Sequence, residues 1–296
     1  MTAAEPARAL ARAKVNLFLH VRGRRPDGRH TLESLAVFPD VGDVVTAEPS
    51  AARSLSLSGP FAIGLGAGDD NLALRAVEAL GEALGERRGL ALHLEKRLPI
   101  ASGIGGGSAD AAAALRLALR VWGRTISSSA LAHVALGLGA DVPVCLSSEP
   151  AVMGGVGETL TAAPAPPPCW MVLVNPGQPL STAAVFAALD RRDNPPGPRT
   201  PARFADVGAL VSWLATTRND LEAPARRLAP SIGAALGALR WTPGCLLARM
   251  SGSGATCFGL FADEAAATDA AAAIRNREPA WWVAPAQVSA RADETV

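Results

Sequence analysis

Residues 99–111 read Pro-Ile-Ala-Ser-Gly-Ile-Gly-Gly-Gly-Ser-Ala-Asp-Ala, a glycine-rich stretch running into an alanine-rich one. Backbone without side chains lets N–H groups approach an anion closely, and a helix starting near Ser108 would point its positive end at the same place. Phosphate binding is the chemistry this suits. Of the 28 basic residues only Lys14 and Lys96 are lysine. Arginine everywhere else marks these two as places where a compact, pKa-tunable ammonium does what a rigid guanidinium does not. A carboxylate, Asp141, follows Gly137-Leu-Gly-Ala140 on a turn before an apolar run over 142–146.

Spacing argues against the commoner chemistries. A P-loop needs Gly-x-x-x-x-Gly-Lys-[Ser/Thr], and no lysine follows this loop. A dinucleotide fingerprint counted from Gly103 needs glycine where Ser108 stands. Gly252-Ser253-Gly254 lacks the Gly-x-Ser-x-Gly pattern of a nucleophile elbow and reads as a tight turn between strands. A glycine run that only lets a helix pack closely on a strand is the remaining alternative for the loop. Four cysteines without Cys-x-x-Cys spacing and four histidines without a His-x-x-x-His pair argue against a zinc site. Cys145, Cys169 and Cys257 lie in apolar, strand-like runs, where inert buried thiols are expected.

These groups need elements to hold them. At 296 residues, 49% hydrophobic and 19% charged, the chain is folded and long for one core, so two domains are expected. A net charge of +1 argues against a broad nucleic-acid-binding face. No apolar stretch approaches the ~20 residues that span a bilayer, and residues 1–12 lack the apolar centre of a signal peptide. The expectation is a cytoplasmic protein. Strand character falls at 9–20, 31–38, 44–48, 55–58 and 90–94, with helices over 71–84, 108–122 and 127–136. Prolines clustered at 163–168 divide the chain into 1–163 and 164–296. The second part reads strand 169–175, helix 182–189, a Pro-rich excursion over 194–201 and helices through 207–214 and 221–239. Strand, turn, strand, helix and strand follow, an α+β pattern of helices on an antiparallel sheet.

The loop, read as Pro-Ile-Ala-Ser-Gly-Ile-Gly-Gly-Gly-Ser-Ala-Asp-Ala-Ala, resembles the ATP-binding motif of the galactokinase, homoserine kinase, mevalonate kinase and phosphomevalonate kinase superfamily. Five ordered segments are similar to the branch of it that acts on a cytidylated methylerythritol. They are Ala13-Lys-Val-Asn-Leu-Phe-Leu-His20, Asp27-Gly-Arg-His30, Leu138-Gly-Ala-Asp-Val-Pro-Val144, Asn219-Asp-Leu-Glu222 and Ser251-Gly-Ser-Gly-Ala255. The resemblance implies a two-domain α+β small-molecule kinase fold. Its ATP-binding N-terminal domain would be ribosomal-protein-S5-like, its substrate-binding C-terminal domain a ferredoxin-like α/β sandwich, with the active site in the cleft between them. The implied reaction moves the ATP γ-phosphoryl group to the 2-hydroxyl of the cytidylated alcohol, in the non-mevalonate isoprenoid pathway. A homoserine or mevalonate kinase would leave the second and fourth segments unexplained. A nucleotide-binding regulator without activity is the alternative from another class.

Carried over position by position, the resemblance makes Lys14 and Asp141 the catalytic pair. The carboxylate would accept the hydroxyl proton while the ammonium orients it and steadies developing charge. Taken singly, they read as a solvated strand lysine and a turn acid. ATP would lie against Pro99, Ile100, Ala101, Ser102, Gly103, Ile104, Gly105, Gly106, Gly107, Ser108 and Ala109. Lys96 would stand beside the nucleotide, with Asn71 and Leu72 at the adenine, although Asn71 also suits a helix cap. Asn16, Arg29, His30, Thr182 and Phe186 would line the substrate groove. Phe186 either stacks on the pyrimidine or is an ordinary core aromatic, and His30 reads the polar edge. Arg29 stands where this branch usually has tyrosine, in a chain without tyrosine. Its guanidinium either lies on an aromatic face, pairs with a phosphate, or points to solvent. Magnesium is implied by ATP chemistry; Ser108 either contacts it or caps its helix, and no metal ligand is assigned.

Overall fold

The computed structural model describes residues 6–288. The chain runs through β1 (Ala7–Arg12), β2 (Val15–Arg24), β3 (His30–Val37), β4 (Gly42–Ser50), β5 (Ser54–Ser58), α1 (Leu72–Leu84) and β6 (Gly89–Glu95). Next come α2 (Gly106–Trp122), α3 (Ser128–Leu138), α4 (Val142–Ser147), β7 (Ala151–Gly154) and β8 (Thr159–Ala162). It continues with β9 (Cys169–Asn175), α5 (Thr182–Ala187), α6 (Val207–Leu214), α7 (Glu222–Leu228) and α8 (Ser231–Arg240). The last elements are β10 (Leu247–Met250), β11 (Cys257–Phe261), α9 (Glu264–Arg277) and β12 (Trp282–Val288).

The strands form three sheets, ordered β1-β4-β6-β5, β2-β3-β7-β8 and β10-β11-β9-β12. The third is antiparallel, and its crossings through α5 to α8 and through α9 give the ferredoxin-like order. Against the first sheet, α1 and α2 bury Val77, Leu80, Ala113 and Leu115 on Leu92 and Leu94. Alanine is the commonest residue along α2, and Ala109 with Ala111 to Ala114 are all buried there. Such small side chains allow the helix to sit close to its neighbours on most sides. A separate core joins the two halves: Val15, Leu17, Phe18, Leu98 and Ile104 pack with Met171, Leu173, Phe258 and Leu260. Each fully buried side chain of this size contributes about 1.5–3 kcal/mol, so the two halves are held against each other by more than surface contacts.

The structure departs from the sequence expectation at several places. The strand expected over 9–20 is broken at Ala13-Lys14, and its two parts enter different sheets. At the break the Ala13 amide donates to the Val41 carbonyl and the Lys14 amide to the Ile104 carbonyl, both at 2.8 Å. Lys14 is therefore not a strand residue but sits at the crossing between sheets. The run holding Cys145 is helix α4, not strand: Pro143 in its first turn has a φ suited to a helix start and no N–H to give a ladder. Strands β7 and β8, too short to give a pattern, were not expected. Helix α2 begins at Gly106 rather than Ser108, with Gly105 at φ 66 as its N-cap. Ser108 thus does not cap it. The helical stretch 221–239 is divided at Ala229-Pro230 into α7 and α8.

Candidate active site

The loop between β6 and α2 takes its shape from left-handed backbone at Ala101 (φ 50), Gly103 (φ 76) and Gly105 (φ 66). A Cβ at Gly103 would lie 2.6–2.8 Å from backbone atoms of Gly254 and Ser251, so this glycine is where the loop presses on the turn between β10 and β11. Gly107 is different: a Cβ there would meet nothing within 4 Å, and the residue lines an open cleft. With Gly105 as N-cap, no side chain satisfies the first amides of α2. Uncapped amides at the positive end of a helix, bordering open space, are groups that can receive an anion.

Three segments distant in sequence lock this loop in place. The Ser251 hydroxyl donates to the Gly103 carbonyl and accepts from the Asn16 amide, each at 3.1 Å. The Thr256 amide donates to the Ser102 carbonyl at 3.1 Å. Asn219 donates to the carbonyls of Met250 and Gly252 at 2.8 Å, fixing the turn from beneath. The motif 219–222 thus supports the turn 251–254, which supports the loop.

Beside the loop, the Lys14 ammonium donates to Asp141 Oδ2 at 2.9 Å. The lysine side chain is 7% exposed and the aspartate side chain 38%, so the carboxylate faces the cleft while the ammonium is held behind it. Asp141 is the residue just before α4. The pair can take a proton from a bound hydroxyl and stabilise the oxygen that loses it.

Lys96 has a different setting. Its ammonium bonds Asp43 Oδ2 at 2.5 Å and Asp110 Oδ2 at 2.7 Å, all three side chains being buried. Asp43 Oδ1 also accepts from the amides of Arg97 and Leu98, at 2.6 and 2.8 Å. Burial pushes the Asp110 carboxyl up, to about 8, and Asp43 adds to that against the pull of Lys96. Burial also pulls the Lys96 ammonium down, but Asp110 and Asp43 outweigh it and hold it above its ordinary value. Lys96 borders the cleft with its charge already balanced, tying β4, the loop entrance and α2 together. Asp43 and Asp110 went unassigned in the sequence: a lone Asp in a strand carries no motif, and Asp110 lies inside one whose glycines draw the reading.

Lys14, Asp141, Lys96 and Asp110 line a single cleft of about 1300 Å³, which also takes in Asn71, Leu72, Asn16, Arg29, His30, Thr182 and Phe186. Pro99, Ile100, Ala101, Ser102, Gly103 and Gly105 to Ser108 line it too, whereas the side chains of Ile104 and Ala109 turn into the cores behind. Asn71 caps α1, its Oδ1 accepting from the Ala73 amide at 3.0 Å. Asn16 donates to Ser34 at 2.7 Å and leaves its buried Oδ1 without a partner among the described residues. The Thr182 and Ser253 hydroxyls meet at 2.8 Å. His30 and Phe186 stack, centroids 4.9 Å apart at 18°, and Phe186, half-buried, both borders the cleft and packs on the core of the C-terminal half. Burial first, then Arg24 and Arg192, hold the His30 pKa below its ordinary value. The cysteines are chemically quiet, burial pushing Cys145 up to about 12 and Cys169 to about 11.

Residues 71–149 match the N-terminal domain of GHMP kinases and residues 202–280 their C-terminal domain. A 4-diphosphocytidyl-2-C-methyl-D-erythritol kinase of Cereibacter sphaeroides is 57% identical over 281 residues, covering 95% of this chain and 98% of that one. The chain belongs to the GHMP kinase family. A relative of the same name from Paramagnetospirillum magneticum is 51% identical over 279 residues, 94% of this chain and 97% of its own. Among solved GHMP kinases, a crystal structure of 4-(cytidine 5'-diphospho)-2C-methyl-D-erythritol kinase matches with a TM-score of 0.78 and 35% identity, covering 96% of this chain and 99% of that one. The homoserine kinase of Cytophaga hutchinsonii shares the fold at a TM-score of 0.72 and 18% identity, covering 98% and 97%. Membership makes this chain a kinase with the family's two-domain α+β fold.

Proposed function

We propose that this kinase transfers the γ-phosphoryl group of ATP to the 2-hydroxyl of 4-diphosphocytidyl-2-C-methyl-D-erythritol, giving the 2-phosphate, a step of the non-mevalonate route to isoprenoid precursors. The observation that carries the reading is the Lys14–Asp141 pair at 2.9 Å in the cleft that also holds the uncapped amides of α2. The relatives named above support the choice of acceptor.

In this mechanism the phosphates of ATP lie on the amides of Gly106, Gly107 and Ser108, with Leu72 and Asn71 at the adenine end. Asp141 accepts the 2-hydroxyl proton as its oxygen bonds to the γ-phosphorus, and Lys14 stabilises the charge that develops. Positioning and electrostatics do most of the work in such a transfer. Lys96 supports the floor of the site. Magnesium neutralises phosphate charge when bound. Among the described residues no group of three His, Cys, Asp or Glu could hold an ion, so the phosphates would supply most of its ligands. The Ser108 hydroxyl, which makes no hydrogen bond among the described residues, would be its contact on this chain.

We place the domain boundary between β8 and β9, giving an ATP-binding part over 1–163 and a substrate-binding part over 164–296. No helix among the described residues is long and apolar enough to cross a membrane, and four free cysteines accord with a cytoplasmic setting. A homoserine or mevalonate kinase would leave the stacked His30 and Phe186 without a base to meet, and an inactive regulator would leave Lys14 and Asp141 without a task. ATP consumption measured against a panel of alcohols tests the reading. Turnover of the cytidylated alcohol with mevalonate and homoserine ignored is expected, and the reverse result overturns it.

A further inference from the structure

The pyrimidine end of the cleft carries more positive charge than an uncharged base needs. Arg25 and Arg29 are partners across a tight turn, the Arg25 amide donating to the Arg29 carbonyl at 2.8 Å. Like charges set opposite one another across a hairpin are destabilising, so the arrangement calls for compensation. Arg25 has it, lying 3.3 Å from Asp27 and 3.6 Å from Glu158. Arg29 does not: the exposed residue borders the cleft, and although its amide donates to Asp27 Oδ1 at 3.0 Å, its guanidinium makes no hydrogen bond or ion pair among the described residues. Arg24 and Arg192 add further positive charge near His30.

Recognition of a flat base is provided for without Arg29. Phe186 and His30 supply stacked rings, and His30 Nδ1 is buried with no partner among the described residues. An uncompensated, planar, five-donor cation beside them matches an anion with oxygens in a fork, which is phosphate chemistry. Resting on the reading that the acceptor is a cytidine diphosphate ester, we propose that Arg29 is a specificity-determining residue that binds the diphosphate of the acceptor and does not cover its base. The residue then selects for a diphosphate linker, while His30 and Phe186 select for the base.

The test is calorimetric titration of wild type, Arg29→Ala and Arg29→Lys with CDP, CMP and cytidine, the nucleotide site being filled with a non-hydrolysable ATP analogue. Expected is a loss of CDP affinity in Arg29→Ala of about 10–100-fold, the range for losing a charge-assisted hydrogen bond, with cytidine affinity within about twofold and Arg29→Lys in between. Added salt should weaken CDP binding to wild type more than to Arg29→Ala, since exposed charge pairs are screened. With the full substrate, KM should rise in Arg29→Ala while kcat stays near wild type. Equal losses for CDP and cytidine would assign Arg29 to the base, and unchanged CDP binding would remove it from the site; either overturns the proposal alone. Wild type that binds none of the three cytidine compounds and does not turn over the cytidylated alcohol would overturn the substrate reading itself.

Discussion

The chain's two lysines flank one loop and do different things there. A Cβ added at Gly105 would touch Lys14 at 3.3 Å, and one at Gly106 would come 3.6 Å from Lys96 Nζ. Both lysines are buried, at 5% and 4% exposure, so burial does not tell them apart. Their partners do. Lys14 faces one carboxylate, which opens to the cleft, whereas Lys96 is enclosed between two buried ones. A cation with an accessible partner is available to chemistry, and one with sealed, surplus partners is committed to structure.

Removing the accessible pair should have the largest effect and touch rate alone. Lys14→Ala and Asp141→Asn are each expected to lower turnover by about two to four orders of magnitude, with thermal unfolding close to wild type. Unimpaired turnover in either variant would erase the distinction from Lys96. Substituting Lys96→Met should do the opposite, since it leaves Asp43 and Asp110 buried without their cation. Breaking a buried ion pair in this way costs about 3–5 kcal/mol, to be read from denaturant unfolding, and an unaltered midpoint would make Lys96 an ordinary nucleotide contact.

The enclosed cluster should also have a pH signature. Because the folded state raises the Asp110 pKa above its unfolded value, to about 8, the folded chain holds a proton that the unfolded chain releases. That contribution is complete at low pH and fades as pH climbs from about 4 toward 8, by at most about 1.4 kcal/mol per unit. Unfolding curves across this window should show Asp110→Asn lacking the decline that wild type has, and parallel slopes would refute the assignment. The smallest stability effect belongs to the glycine bordering the cleft. Gly107→Ala, whose methyl group meets nothing, should stay within about 0.5 kcal/mol of wild type yet weaken ATP binding measured by titration. Undiminished affinity would mean that the phosphates do not lie there.

What the sequence disclosed follows from what is local. The glycine loop, the helix that follows it and the turn that carries Asp141 are set by neighbouring residues, and these were readable. The Ala13-Lys14 break was hidden because hydrophobic residues run across it, while the amides that leave the ladders bond to Val41 and Ile104, far along the chain. Helix α4 was misread because Val142, Val144 and Cys145 suggest a strand, and the weight of Pro143 at the helix start was missed. The surroundings of Lys96 were out of reach: Asp43 is 53 residues away and nothing near it hints at a cation. The aromatic pair was half legible, with both residues named but their mutual stacking unstated.

The hydroxyl of Ser251 bridges an amide 235 residues upstream and a carbonyl 148 upstream. During synthesis the glycine loop and the first strands leave the ribosome long before that serine exists, so the nascent N-terminal half carries an unbraced loop. Joining ends so far apart makes assembly slow in comparison with local helix formation. Competence to catalyse is therefore acquired only once Ser251 has emerged, and a fragment halted short of it should be inert however well its own helices form.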